Sequence, residues 1–133
     1  MGRQLAERGC APDRVLCSTA VRARETANLL LPHLNLPTEV ISYTESIYEA
    51  GVEDLLECVS EVDSGCQHVM MIGHNPGLEM LCHTIIAGAV DRMATNAVAS
   101  FQLDLQDWAT IFDRVESKTG MTLVFHDTPK NHR

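Results

Sequence analysis

Three short apolar runs constrain the fold of this chain more than any other feature. Residues 15–17 (VLC), 40–43 (VISY) and 69–72 (VMMI) are strand-sized, and a helical pattern follows each of them. Apolar runs of this length, bounded by turn residues, read as strands, with 15–17 and 69–72 buried. A chain that alternates strand with helix builds a mostly parallel sheet with helices on both faces, a three-layer α/β sandwich. Ligands of such sheets bind beyond the carboxyl ends of the strands. The residues just after each run are therefore where chemistry is to be sought.

The connecting helices have recognisable limits. Residues 3–8 favour helix and stop at Gly9, a residue type common just past a helix end. Ser18 or Thr19 is placed to cap a helix over residues 21–31, which Pro32 ends. Val52, Leu55, Leu56 and Val59 recur at i, i+3, i+4 and i+7, the apolar stripe of a helix over 52–62. Pro76 suits the first position of a helix reaching residue 86. Further on, Ala97, Ala99, Phe101, Leu103 and Leu105 alternate with Val98, Ser100, Gln102 and Asp104, a half-buried strand. Residues 121–125 are expected to close the sheet after Gly120. The reading is a single domain over 1–126 with a polar, flexible tail over 127–133.

At 133 residues the chain is long enough to bury an ordinary core, and 45% hydrophobic with 21% charged residues is a globular mixture. A formal net charge of -8 argues against a non-specific nucleic-acid binder, so any phosphate must be met by a few well-placed cations. The five cysteines include no C-x-x-C pair and read as reduced thiols rather than a disulfide framework or zinc site. No run approaches the ~18 apolar residues of a membrane span, and the opening MGRQLAERG has no apolar signal region. A cytoplasmic protein with no membrane or nucleic-acid partner is expected.

Two strand ends carry candidate chemistry. CSTAVRARETA, residues 17–27, puts Arg22 and Arg24 on the first turns of a helix directly after a strand. Unpaired N–H groups and the helix dipole favour an anion there, and a guanidinium adds a bidentate clamp. Taken alone, the stretch is better read as two solvated arginines, one of them paired with Glu25. The second strand end is GHNPG, residues 73–77, where Gly73 allows a tight turn and Asn75 can cap. His74 there projects from the end of a strand beside helix N–H groups. Taken alone, it is equally a structural histidine bonded to a loop carbonyl.

Together the two stretches change the reading. CSTAVRARETA resembles the S-x-x-x-R-A-x-x-T-A segment of the histidine phosphatase superfamily, and IGHNPGLEML resembles its second-histidine motif. With PDRVLCS before the first motif and IYEAG before a helix, the wording is similar to that of the SixA-type phosphohistidine phosphatases. The resemblance runs through nearly the whole chain and ends near Phe125. It implies a phosphoglycerate mutase-like sandwich and a phosphatase that dephosphorylates histidine-phosphorylated proteins by passing the phosphoryl group through a histidine. It implies Arg22 as the second phosphate-binding arginine, His74 as the second catalytic histidine and Asn75 as a substrate contact. Glu49, in IYEAG, falls near where other branches carry an acidic proton donor. SixA-type members do not clearly use one, and a phosphorylated imidazole is already a good leaving group. The catalytic candidates are thus His74, Arg22 and Glu49, and the phosphate-binding ones Arg22, His74 and Asn75. No cofactor or metal is implied. The implied partner is a histidine-phosphorylated protein, a phosphotransfer domain or phosphocarrier.

That family's reaction needs an Arg-His pair at the end of its first strand. This chain has His33, His68, His74, His83, His126 and His132, and arginine precedes none of them. MGRQLAERG matches the stretch before PDRVLCS, so by the resemblance the first strand, the nucleophile and the first phosphate arginine are missing. Without an acceptor, covalent transfer loses its central step. A sheet short of one strand also leaves apolar faces and strand edges uncovered. Either Met1 is an internal methionine of a longer chain, which a start in mid-helix favours, or the chain is a truncated relative. Such a relative would bind phosphate or phosphoprotein without turnover.

Other chemistries fit less well. Cysteine-based phosphatase chemistry needs C-x5-R, whereas four residues separate Cys17 from Arg22 and six separate it from Arg24. His74 and His83, nine positions apart, share no helix face, and no carboxylate pattern completes a metal shell. G-x-x-x-x-G-K-[ST] and G-x-S-x-G are both absent.

Overall fold

Each apolar run carries a strand, Val40 alone falling in a 3-10 turn before its strand, and each strand is followed by its helix. The computed structural model describes residues 1–90, 92–94 and 96–128. In order, the elements are α1 (Gly2–Glu7), β1 (Arg14–Ser18), α2 (Val21–Leu30), β2 (Ile41–Thr44), α3 (Val52–Ser60), β3 (Val69–Ile72), α4 (Gly77–Ile85), β4 (Val98–Leu103), α5 (Ile111–Ser117) and β5 (Met121–Asp127). Short 3-10 turns join several of them.

β1 is the middle of a three-stranded parallel sheet ordered β2-β1-β3. Cys17 lies opposite Tyr43 on one side and Ile72 on the other. Strand residues point alternately to the two faces, and this alternation sorts the helices into layers. Val15 and Cys17 pack with Leu5 of α1 and with Ala23, Ala27 and Leu30 of α2. Leu16, their neighbour, faces the other way, toward Ile47, Leu55 of α3 and Leu78 and Leu81 of α4. Leu5, Val15 and Leu55 are at most 2% exposed, and burying each such side chain contributes about 1.5–3 kcal/mol.

β4 and β5 pair antiparallel, with a register shift between Ser100 and Phe101, and form a two-stranded sheet of their own. Val98 and Phe125 pack on the α1–α2 layer. Leu103 and Met121, at the other end, join Leu56 of α3 and Ile111 and Val115 of α5. The expectation that 121–125 closes one common sheet is corrected here. Alternating residues mark a strand, but nothing local in them names its partner. Among the described residues, β3 pairs with β1 alone.

Two further boundaries differ from the sequence reading. Asp127, expected in the flexible tail, is the last residue of β5 and is 5% exposed. Arg8 Nε donates to its carboxylate at 2.6 Å, and the same guanidinium lies 4.1 Å above the Phe125 ring. Gln4 also donates to the Thr128 carbonyl. A polar strand end is thus held by Arg8, which caps α1, and by the Gln4 amide within it, and the rest of the expected tail, 129–133, lies outside the described residues. Neither Ser18 nor Thr19 caps α2: the cap is Ala20, with no side-chain bond, and Ser18 is the buried end of β1.

Candidate active site

The site is built where two parallel neighbours end together. Cys17 is paired with Ile72, so Ser18 and Gly73 leave the sheet at the same carboxyl edge. α2 and α4 begin a few residues later. The first N–H groups of a helix have no partner within it, so each start presents donors and a partial positive charge.

The glycines of GHNPG let another loop close over this edge. A Cβ on Gly73 would stand 3.0 Å from Ile47 Cγ2, and one on Gly77 would stand 2.6 Å from the Ala50 carbonyl oxygen. The loop over residues 47–50 therefore lies directly on the turn that carries His74, and it brings Tyr48 with it. The Tyr48 and His74 rings meet edge to face, with centroids 5.6 Å apart. His74 Nε2 is 2.8 Å from Ser18 Oγ, which also accepts the Ala20 N–H at 3.2 Å. Ser18 is completely buried. The half-buried imidazole is thus gripped on two sides, by a hydroxyl below and an aromatic ring beside it.

The two arginines of α2 have different lives. Arg24 Nε donates to the Thr19 carbonyl at 2.9 Å, and its guanidinium covers the Tyr43 ring at 4.8 Å. Arg22 is exposed on the first turn of α2 and its side chain makes no hydrogen bond or ion pair among the described residues. The pairing with Glu25 weighed from the sequence does not form.

Asn75 is occupied by its own loop. Its Oδ1 accepts the Glu79 N–H at 3.2 Å, and its Nδ2 donates to the Met93 carbonyl at 2.5 Å. Glu79 Oε1 in turn accepts the Met93 N–H at 3.0 Å. The three residues tie the segment around Met93 to the start of α4. Glu49 is exposed in the loop between Tyr48 and Ala50, with φ 53°, and its carboxylate has no partner among the described residues.

Ser18 and Tyr48 are the residues that sequence reasoning missed. Ser18 sits where a helix cap is expected, and Tyr48 immediately precedes Glu49 in IYEAG. Burial pushes the Cys17 thiol up to about 11, against an opposing pull from Arg24. Among the described residues no group of three or more His, Cys, Asp or Glu is arranged to hold a metal, and no helix is long and apolar enough to cross a membrane. What the edge offers is a set of donors for an oxyanion.

No family model matches the chain. An uncharacterised protein of Mycobacterium leprae is 26% identical over 90 residues, which cover 68% of this chain and 53% of that protein. An uncharacterised protein of Mycobacterium tuberculosis is 35% identical over 66 residues, 50% of this chain and 39% of its own length. The chain thus spans about half or less of the curated relatives it matches. Solved structures agree over more of it. A protein assigned as the phosphohistidine phosphatase SixA of Agrobacterium tumefaciens superposes with a TM-score of 0.75 at 24% identity, covering 96% of this chain and 75% of its own. One assigned likewise from Nakamurella multipartitia gives 0.73 at 21%, covering 96% and 79%. The protein histidine phosphatase SixA complexed with tungstate gives 0.77 at 24%, covering 99% and 78%. The chain has the α/β fold of the SixA phosphohistidine phosphatases, the phosphoglycerate mutase-like sandwich that its motifs imply.

Proposed function

We propose that this chain is the phosphate-binding body of a phosphohistidine phosphatase of the histidine phosphatase superfamily, acting on histidine-phosphorylated proteins. One observation carries the reading: an unengaged guanidinium, Arg22, and a held imidazole, His74, leave the same edge of one parallel sheet, each at the start of a helix. The fold shared with a SixA structure that holds tungstate, a tetrahedral oxyanion like phosphate, supports it.

In this reading Arg22 takes two phosphoryl oxygens in a bidentate pair, and His74 with the helix N–H groups takes the remaining charge. Phosphoryl transfer asks little covalent chemistry of the protein beyond an acceptor. The rest is positioning, and stabilisation of charge on the equatorial oxygens. The acceptor is the histidine of an Arg-His pair, which these 133 residues do not contain. Asn75 serves chiefly by fixing the start of α4, with its second amide hydrogen free for substrate. Glu49 is a proton donor only for substrates with a poorer leaving group than phosphohistidine. The partner is a phosphotransfer domain or phosphocarrier, and the setting is the cytoplasm.

A second reading is favoured by the same missing acceptor: a binding relative that holds phosphate or phosphoprotein without turnover. A phosphate-release assay with a phosphohistidine protein separates the two, run on the 133-residue chain and on a version extended upstream to an Arg-His pair. The extended protein should release phosphate and the 133-residue chain should only bind it. Release by the 133-residue chain, abolished by His74→Ala, would make His74 the acceptor and overturn the assignment. An extended protein inert toward every phosphohistidine protein leaves the binding relative standing.

A further inference from the structure

We infer that Ser18 fixes the imidazole of His74 in the tautomer that carries its proton on Nδ1, so that His74 meets an oxyanion as a neutral N–H donor. The argument is an accounting of one hydrogen. A serine hydroxyl has one hydrogen to give and two lone pairs to share. Ser18 is completely buried, so its hydroxyl cannot turn to water. Its Oγ accepts the Ala20 N–H at 3.2 Å and lies 2.8 Å from His74 Nε2, and it has no further partner among the described residues.

If Nε2 carried the imidazole proton, the hydroxyl oxygen would accept twice and its own hydrogen would be buried without an acceptor. Buried donors in folded proteins are almost always satisfied, because an unmade bond there forfeits the hydration the group had in water. The arrangement that satisfies every atom has Ser18 donating to Nε2. A neutral imidazole that accepts at Nε2 must hold its proton at Nδ1. Nδ1 has no partner among the described residues, so that donor is available to a ligand. Tyr48, edge to face with the ring at 5.6 Å, restrains its plane. Ser18 is thus a positioning residue: it touches no substrate and acts by deciding which nitrogen of His74 is the donor. The consequence for phosphate rests on the proposed function, whereas the tautomer itself does not.

The test is nitrogen-15 NMR of the imidazole in the 133-residue chain at about pH 8.5, where an ordinary histidine is neutral. Wild type should show Nε2 in the unprotonated range and Nδ1 in the protonated range. Ser18→Ala should return the ring to a mixture rich in the Nε2–H form, and Ser18→Thr should restore the wild-type pattern. Titration with inorganic phosphate should move the Nδ1 resonance in wild type. It should also bind about fivefold more weakly to Ser18→Ala if only about a fifth of the rings keep the proton on Nδ1, because apparent affinity falls with the competent fraction. Nε2–H in the wild-type protein, or an unchanged pattern in folded Ser18→Ala, overturns the inference. The wild-type spectrum decides even if Ser18→Ala does not fold. A correct tautomer that ignores phosphate leaves Ser18's role intact and sinks the phosphate site instead.

Discussion

Gly77 offers a sharp test of how the site is assembled. It is the first residue of α4, buried, and a Cβ placed on it would stand 2.6 Å from the Ala50 carbonyl oxygen and 3.5 Å from Leu55 Cδ1. Real Cβ contacts essentially never fall below 3.0 Å, so in Gly77→Ala the carbonyl must retreat by at least 0.4 Å (3.0 less 2.6). The obstacle is backbone, and it has little freedom: Glu49 before it is already at φ 53°, and the Ala50 N–H is bonded to the Ile47 carbonyl at 3.3 Å. Overpacking of this kind costs about 1–3 kcal/mol. Replacing glycine with alanine recovers about 0.4–1 kcal/mol through a less flexible unfolded chain. The net expectation is a loss of about 1–2 kcal/mol, or a fall in Tm of roughly 3–8 °C for a domain this size. The displaced loop should also draw Tyr48 from His74 and weaken phosphate binding. Urea unfolding followed by the single tryptophan measures the loss. Gly65→Ala is the control, since its nearest non-neighbouring atom is an Asp63 side-chain oxygen at 3.8 Å. It should be neutral or gain up to about 1 kcal/mol. Gly77→Ala unfolding at the wild-type urea concentration, or Gly65→Ala losing as much, would refute the close-approach argument.

The two arginines of α2 should separate cleanly. Arg22→Ala should abolish measurable phosphate binding, since a charge-assisted bond contributes about 1.5–3 kcal/mol and millimolar binding needs only about 4 kcal/mol. Its unfolding midpoint should stay near that of wild type. Arg24→Ala should keep the phosphate and lose about 0.5–1 kcal/mol of stability with its ring contact; calorimetry giving equal effects would contradict the division. Burial raises the Cys17 thiol from 9.0 to about 11, so between those values the unfolded chain has lost a proton that the folded one retains. Stability from this group is complete below pH 9 and falls as pH rises toward 11. Cys17→Ala should flatten that decline in Tm, and an unchanged slope would refute it. Alkylation at pH 8 should reach the part-exposed Cys58 and Cys66 before buried Cys17, as peptide mapping would show.

Much of this was readable from local pattern because local pattern is what makes strands and helices. VLC, VISY and VMMI announce strands, though β2 is only partly buried and Tyr43 on it is exposed, and the stripe of Val52, Leu55, Leu56 and Val59 announces α3. Arg22 and His74 were legible because parallel strands deliver their carboxyl ends to one edge, so two motifs far apart in sequence share a place. What failed needed three-dimensional partners. Ser18 looked like a cap because serine before a helix usually is one; only the register of β1 against β3 sets it under His74. Asp127 looked like tail because a lone polar residue carries no sign of the Arg8 that buries it. Residues 97–105 and 121–125 show their strands but not that, among the described residues, they pair only with each other. Arg24 and Arg22 were indistinguishable as letters, and a carbonyl at Thr19 with a ring at Tyr43 tells them apart.

The clasp between Arg8 and Asp127 has a consequence for the order in which the molecule comes together and apart. The two residues are 119 positions apart, so their contact closes a loop of nearly the whole domain. Loop closure on that scale costs about 2 kcal/mol more than closing one of a dozen residues, since the entropy grows with the logarithm of length. α1 is only six residues long and cannot persist as a helix without what it docks against. One of its anchors therefore depends on β5, and an opening of β5 should loosen α1 as well, although Leu5 still packs in the core. In native-state hydrogen exchange its amides should trade with solvent through a small, cheap opening of the domain's two ends, while those of β1 wait for the whole to unfold.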